Sequence, residues 1–388
     1  MRIFRFRDGE SYMTREHTHS PGMARTFYGL AVMVLIGLIA WVGRGVLIPL
    51  VIAIFLGFLI FTLKETVRQT PLIGKHLPNW LGFMLAFVCI GAGAMVFVNI
   101  VKSNVATLIT EWPAYEARFE MVLESTIAWF ENLDFLPQEF VGGFDDLRES
   151  ALGLAPRLLQ QIASSIGAVT SNFLTFITIL LYLIFMLIER GRIFRKISLL
   201  GSDSDQRHAI METISDIGVM VRQYLAVKTL SNLVTATISY AIMIIIGVQF
   251  AGFWALLIFT LNYIPVFGAA SAIVLPVILA LVQPDGGPRM ALTTLAFLIG
   301  AEQVMSNGIE PRLVGRSLNL SPLIVLFSLT IWGSLWGFAG LLLSVPITVT
   351  VMIVLSQFET TRPIAIMISD DGRIAELKRP STSPMPSL

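Results

Sequence analysis

The chain carries a single cysteine, Cys89, and it lies inside an apolar run. That excludes an intramolecular disulfide and any cysteine-based metal site, and leaves a packing thiol as the ordinary reading. Charge is scarce too: 14% of residues are Asp, Glu, Lys or Arg, against about 25% in soluble domains, while 55% are hydrophobic. A net charge of +1 gives no reason to expect a nucleic-acid partner. The four histidines, His17, His19, His76 and His208, fall in polar segments and offer neither a buried proton relay nor a metal-ligand pair. There is no G-x-x-x-x-G-K-[ST] loop, nucleophile elbow, H-E-x-x-H or dinucleotide fingerprint. Nor do the apolar runs hold the paired Asp, paired His or Ser–His of an intramembrane enzyme. No enzyme activity, cofactor or metal is expected.

What the chain has is hydrocarbon. A bilayer core about 30 Å thick requires about 20 apolar residues per helix. Plain spans are expected at 27–42, 46–63, 80–101, 167–188 and 230–247. The apolar segments at 253–282, 291–305 and 323–355 are too long or too interrupted to be single plain helices. The first run follows a long head and lacks a small-residue cleavage site, so it reads as an uncleaved span. The Arg44-Gly45 link predicts a tight hairpin between the first two spans. The fold class is therefore an all-α integral membrane protein. It is a polytopic helical bundle with broken or re-entrant helices in the C-terminal half and an amphipathic helical external segment.

Positive residues set the expected sidedness. The head carries Arg2, Arg5, Arg7, Arg15 and Arg25, the 64–79 loop Lys64, Arg68 and Lys75, and the 189–229 segment seven Lys or Arg. The 102–165 segment has ten acids against Lys102, Arg118, Arg148 and Arg157. The expected organisation is a cytoplasmic head at 1–26, three spans within 27–101, and an extracytoplasmic helical segment at 102–165. A fourth span at 166–188, a cytoplasmic amphipathic helix at 189–229, a transport unit at 230–358 and a cytoplasmic tail at 359–388 complete it. Arg312, Arg316 and the basic tail fall inside only if 253–282 enters the membrane, breaks and returns to the face it left.

Two helical stripes stand outside the spans. Trp112, Tyr115, Phe119, Val122, Thr126, Trp129 and Leu133 form one, and Ile210, Ile214, Ile217, Val221 and Tyr224 the other. Each packs either on its own bundle or on another protomer. A weak echo, Gly252-Phe253-Trp254-Ala255-Leu256-Leu257 against Gly337-Phe338-Ala339-Gly340-Leu341-Leu342, is a candidate internal repeat.

The interruptions are the informative part. In hydrocarbon an unsatisfied backbone group costs several kcal/mol, so helices break only where protein or a wet cavity receives the freed groups. Asn262 and Tyr263 precede Pro265, which has no N–H, and Gly268 lets the chain turn. Glu302 is the one carboxylate deep in an apolar segment, followed by Gln303 and Asn307. Such a group usually faces a cavity or a partner, and it is the candidate for proton exchange, with Gln303 or Arg312 the alternative structural partner. Asn262, Tyr263, Pro265, Gly268, Glu302, Gln303 and Asn307 are thus the expected solute or ion pathway. Pro311, Arg312, Gly315, Gly333, Gly337, Gly340 and Pro346 are assigned structural or gating roles. In the G-x-x-x-G of 333–337 close helix packing is the default. Arg312 and Arg316 read as inside-positive anchors or as partners of Glu310.

These residues resemble a known family. Asn262-Tyr263-Ile264-Pro265-Val266-Phe267-Gly268 is similar to the I-P-x-x-G signature of the AI-2E, or PerM-like, permeases. Glu302-Gln303, Asn307 and Glu310-Pro311-Arg312-Leu313-Val314-Gly315-Arg316-Ser317-Leu318 resemble its second block, and Trp336 to Pro346 its terminal G-x-x-G-x-x-x-x-x-P. Ser321 stands where many members carry a His. The resemblance covers 25–358 and implies a multi-pass protein of the bacterial inner membrane, with both termini cytoplasmic, assembled as a homo-oligomer and pentameric in known cases. It implies export of a small polar metabolite such as an autoinducer-2-like furanone, with Na+ or H+ as candidate coupling ions. A monovalent cation/proton antiporter and a non-transporting assembly or scaffold protein are the alternatives.

Overall fold

The computed structural model describes residues 21–69, 79–131, 173–199, 204–265, 267–310, 312 and 320–372. Among them the regular structure is helical, with one isolated bridge between Leu320 and Ser369. The helices are α1 (Pro21–Val42), α2 (Arg44–Gln69), α3 (Asn79–Glu131), α4 (Phe173–Ser198) and α5 (Ser204–Ile246). There follow α6 (Ala251–Leu261), α7 (Phe267–Val282), α8 (Pro288–Gln303), α9 (Pro322–Ser356) and α10 (Arg362–Ile368). Four helical stretches are long and apolar enough to cross a bilayer: Arg44–Thr62, Phe87–Val122, Ser204–Ile246 and Pro322–Ser356. The chain is an all-α integral membrane protein.

Helices run through two of the expected junctions. The third span and the stripe that begins at Trp112 are one helix of 53 residues, α3, and the Ile210–Tyr224 stripe continues unbroken into the fifth span as α5, while 189–198 ends α4. Neither junction holds a Gly or Pro, so nothing stops helical hydrogen bonding there. The link between the first two spans is also tighter than a loop at Arg44-Gly45. Gly43 alone separates α1 from α2, and i to i−4 bonds continue on both sides, from Gly43 N to Ile39 O and from Leu47 N to Gly43 O.

α2 packs on α3 and α4 through Ala53, Ile60 and Leu183. A second cluster joins α3 to the hairpin of α6 and α7: Tyr115 and Val105 meet Phe253, Trp254, Ile258, Ala272 and Leu279. The stripe on α3 therefore packs within its own chain over its first part, Trp112 to Phe119; the side chains of Thr126, Trp129 and Leu133 lie outside the described residues. The other stripe does likewise, with Val221 and Tyr224 against Val345, Val349 and Ile353 of α9. Between membrane helices such contacts act by close packing, since lipid tails are as apolar as the side chains. α1 is little covered by the other helices: Phe27, Met33, Val34 and Ile36 are all more than half exposed, a surface suited to lipid.

The segment 253–282 is a hairpin. α6 stops at Asn262, α7 starts at Phe267, and the open ends meet: Gln249 N donates to Gln283 Oε1 (3.1 Å) and Gln283 Nε2 to the Gly247 carbonyl (3.1 Å). Gly268 makes the turn possible, since a Cβ there would overlap the Leu261 carbonyl. α9 hides a second hairpin. Gly337 has φ 60° and ψ −137°, and the arms 322–336 and 338–356 fold against each other. Trp332 Nε1 donates to Thr348 Oγ1 (3.3 Å), and Ser321 N to the Ile368 carbonyl (3.1 Å) at the open end. Gly333 and Gly340 thus pack inside one hairpin, against Leu341 and the Trp332 carbonyl, and Pro346 is buried in its returning arm. The echo finds no structural counterpart: Gly252 opens α6, whereas Gly337 is a hairpin tip.

Candidate functional site

The tip of the first hairpin is polar and buried. Asn262 ends α6 with its N–H on the Ile258 carbonyl (3.0 Å), and Asn262, Tyr263 and Ile264 are all buried. Pro265 sits half-buried at the turn, where its missing N–H costs nothing. The Tyr263 hydroxyl pairs with Thr229 Oγ1 of α5 at 2.6 Å, and its ring stands edge-on to Phe55 and Phe259. Asn262 Nδ2 donates to Glu302 Oε2 at 3.0 Å, and Ser306 Oγ to Glu302 Oε1 at 2.7 Å. Residues 40 apart in sequence thereby form one locus.

The amide orientation of Asn262 follows from that bond. Turning it over would set Oδ1 against the carboxylate, so Nδ2 faces Glu302. Asn262 Oδ1 is then buried without a hydrogen-bond partner, although the residue is only 6% exposed. A buried carbonyl without a donor costs about 1–3 kcal/mol, and this one stands beside the Glu302 carboxylate.

Just past Glu302, α8 widens into a π-helical turn, Val304–Ile309. Such turns leave carbonyls off the regular ladder and recur at functional sites. Gln303 and Asn307 hydrogen-bond each other on the exposed side of this segment rather than facing Asn262. The alternative partners expected for Glu302, Gln303 and Arg312, are not its partners, and Glu310 does not take Arg312. Glu310 accepts from Lys228 Nζ at 2.7 Å and from Ser231 Oγ at 3.2 Å, with the ion pair only 14% and 20% exposed. Arg312 is exposed. Pro311, Gly315 and Arg316 lie outside the described residues.

Sequence reasoning missed the α5 side of this site. Lys228 counted only as a cytoplasmic charge, yet Lys228, Ser231, Asn232, Thr235 and Ser239 form a polar stripe at helical spacing. Ser231, Asn232, Thr235 and Ser239 are each 3% exposed or less. Asn232 Nδ2 holds the Phe259 carbonyl in the last turn of α6 (3.2 Å). The period-3.6 recurrence of small polar residues in an apolar helix was the available signal.

A helical membrane protein whose broken helices converge on a buried cluster of amide, carboxylate and hydroxyl groups has the architecture of a transporter. Residues 30–360 match the model of the AI-2E family transporter, and the chain belongs to that family. It is 28% identical over 353 residues to the AI-2 transport protein TqsA of Escherichia coli K12, spanning 89% of this chain and 97% of that one. A Haemophilus influenzae relative is 27% identical over 358 residues, 89% of this chain and 96% of its own. Escherichia coli YhhT is 40% identical over a shorter stretch of 148 residues, 38% of this chain and 42% of that one.

Proposed function

We propose that this transporter exports a small polar metabolite, of the autoinducer-2-like kind for which TqsA is named, across the bacterial inner membrane. The solute engages the protein at Asn262 and Glu302. The observation that carries this is the buried, partnerless Asn262 Oδ1 beside the Glu302 carboxylate, two acceptors awaiting donors such as the hydroxyls of a polyhydroxylated furanone. The same pair of oxygens favours one rival, exchange of Na+ for H+. Purified protein in liposomes separates them. Furanone flux without sodium–proton exchange supports the first reading, exchange without furanone flux the second, and neither activity overturns both. A homo-oligomer, with the lipid-suited face of α1 in part occupied by neighbours, belongs to the same reading.

The proposed membrane placement puts both termini in the cytoplasm. The first hairpin then enters from outside, where its open end lies beside the α3 extension: Arg118 NH2 donates to the Gly286 carbonyl at 3.2 Å. The second enters from the cytoplasm, with its open end at Leu320 and Ser369. In a Cys89→Ala background, Glu124→Cys is expected to react with a membrane-impermeant thiol reagent only from outside. Ser204→Cys is expected to react only from the cytoplasm. Reaction of both from the same face refutes the placement.

A further inference from the structure

We propose that the Lys228–Glu310 ion pair is the cytoplasmic gate of the Asn262–Glu302 site, an inference that rests on the transport reading above. Three observations converge on it. The pair lies beyond the site along the chain: Glu310 follows Glu302 by eight residues, roughly 12 Å of helix, and Lys228 lies one turn N-terminal of Asn232 on α5. It fastens the end of the π-helical segment to α5, since Lys228 and Ser231 hold both oxygens of Glu310. The same two turns of α5 also hold the hairpin tip, through Thr229 on Tyr263 and Asn232 on the Phe259 carbonyl.

One short polar stretch of α5 therefore ties down both walls of the site, the hairpin tip and the segment after Glu302. Toward the other face the site is covered by apolar packing, with Ile258 and Leu298 each no more than 2% exposed. Opening that side parts this apolar packing and, at the open end of the hairpin, the Gln249–Gln283 and Arg118–Gly286 hydrogen bonds. Opening the α5 side separates a charged pair, and each charge is left satisfied only if water enters with it. The gate thus has two favourable states, paired and dry or separated and wet, with little stability between them. Removing one partner takes away the dry state's advantage and leaves the wet one, because the remaining charge needs solvent.

The test reads access rather than flux, so it stands apart from the fate of the substrate assignment. Ser306→Cys, whose side chain contacts Glu302, serves as reporter in full-length protein with Cys89→Ala, in inside-out and right-side-out vesicles. With Lys228 and Glu310 intact, reaction with an impermeant methanethiosulfonate from the cytoplasmic face is expected to be slow. Lys228→Met and Glu310→Gln should each accelerate it about tenfold from that face alone, as a shifted closed-to-open equilibrium requires. Exchange of the charges, Lys228→Glu with Glu310→Lys, should bring the rate back toward the parent's. Unchanged rates in both single variants overturn the gate. So do equal increases from both faces, which mark general loosening, and a failure of the charge exchange to slow the reaction in protein that assembles normally. If access responds as described while no furanone or cation flux is found, the gate stands and the proposed substrates fall.

Discussion

Glu302→Gln is expected to insert and assemble like the parent and to lose solute flux about a hundredfold, the scale of roughly 3 kcal/mol in a charge-assisted contact. The geometry makes this substitution unusually clean. Glu302 accepts from Asn262 Nδ2 on one oxygen and from Ser306 Oγ on the other. A glutamine can keep its carbonyl toward Asn262 and turn its NH2 toward Ser306, whose hydroxyl accepts as readily as it donates. Shape and hydrogen bonds survive, and the charge alone is lost. Glu302→Leu behaves differently, since it strips Asn262 of its remaining partner and should destabilise by about 1–3 kcal/mol. Flux in liposomes at matched protein density, with thermal unfolding in detergent, distinguishes the two. Full flux in Glu302→Gln would remove the carboxylate from the transport mechanism.

Gly340→Ala should be the most damaging single methyl in the molecule, with Gly268→Ala close behind. At both positions an added Cβ meets not a flexible side chain but a backbone carbonyl, Trp332 at one tip and Leu261 at the other. Rotamer changes cannot relieve such an overlap, so the arms must separate, at a cost of about 3 kcal/mol or more. Gly337→Ala makes the control. Nothing lies within 4 Å of a Cβ there, and the penalty is the left-handed backbone alone, φ 60° with ψ −137°, about 1–3 kcal/mol. Thermal stability of the detergent-solubilised protein should therefore fall in the order Gly340→Ala, Gly268→Ala, Gly337→Ala. A Gly340→Ala protein as stable as the parent would mean that the second hairpin is not closed as described.

The first hairpin was legible because a proline and a glycine follow a polar pair within five residues, a pattern a plain span has no use for. The second was not, although its apolar run was too long for one helix. Its turn is made by Gly337 in a G-x-x-x-G, and the same glycines serve helix-to-helix packing in ordinary spans. Half of the candidate site was legible for a similar reason. Glu302 stood out by its isolation, and Asn262 by its place at the break. Lys228 did not, because a lysine just before a span is what the sidedness rule expects. Its partner Glu310 lies 82 residues away, and no local spacing joins them. The external stripe shows the limit from the other side. Its period gave the helix but not the surface it covers, and that surface is the open end of a hairpin formed more than a hundred residues later.

The brevity of α6 constrains how the protein is made. Eleven residues extend about 16 Å, half of a bilayer core, and α7 with sixteen reaches about 24 Å. Neither arm can be released into lipid as it leaves the ribosome, because its end would strand backbone groups and Asn262 in hydrocarbon. The receiving carboxylate, Glu302, is translated only after the whole hairpin. The first hairpin must therefore wait at the membrane boundary until α8 has been inserted, and then slide into a slot already walled by protein. The timing of that step is set by the order of residues along the chain.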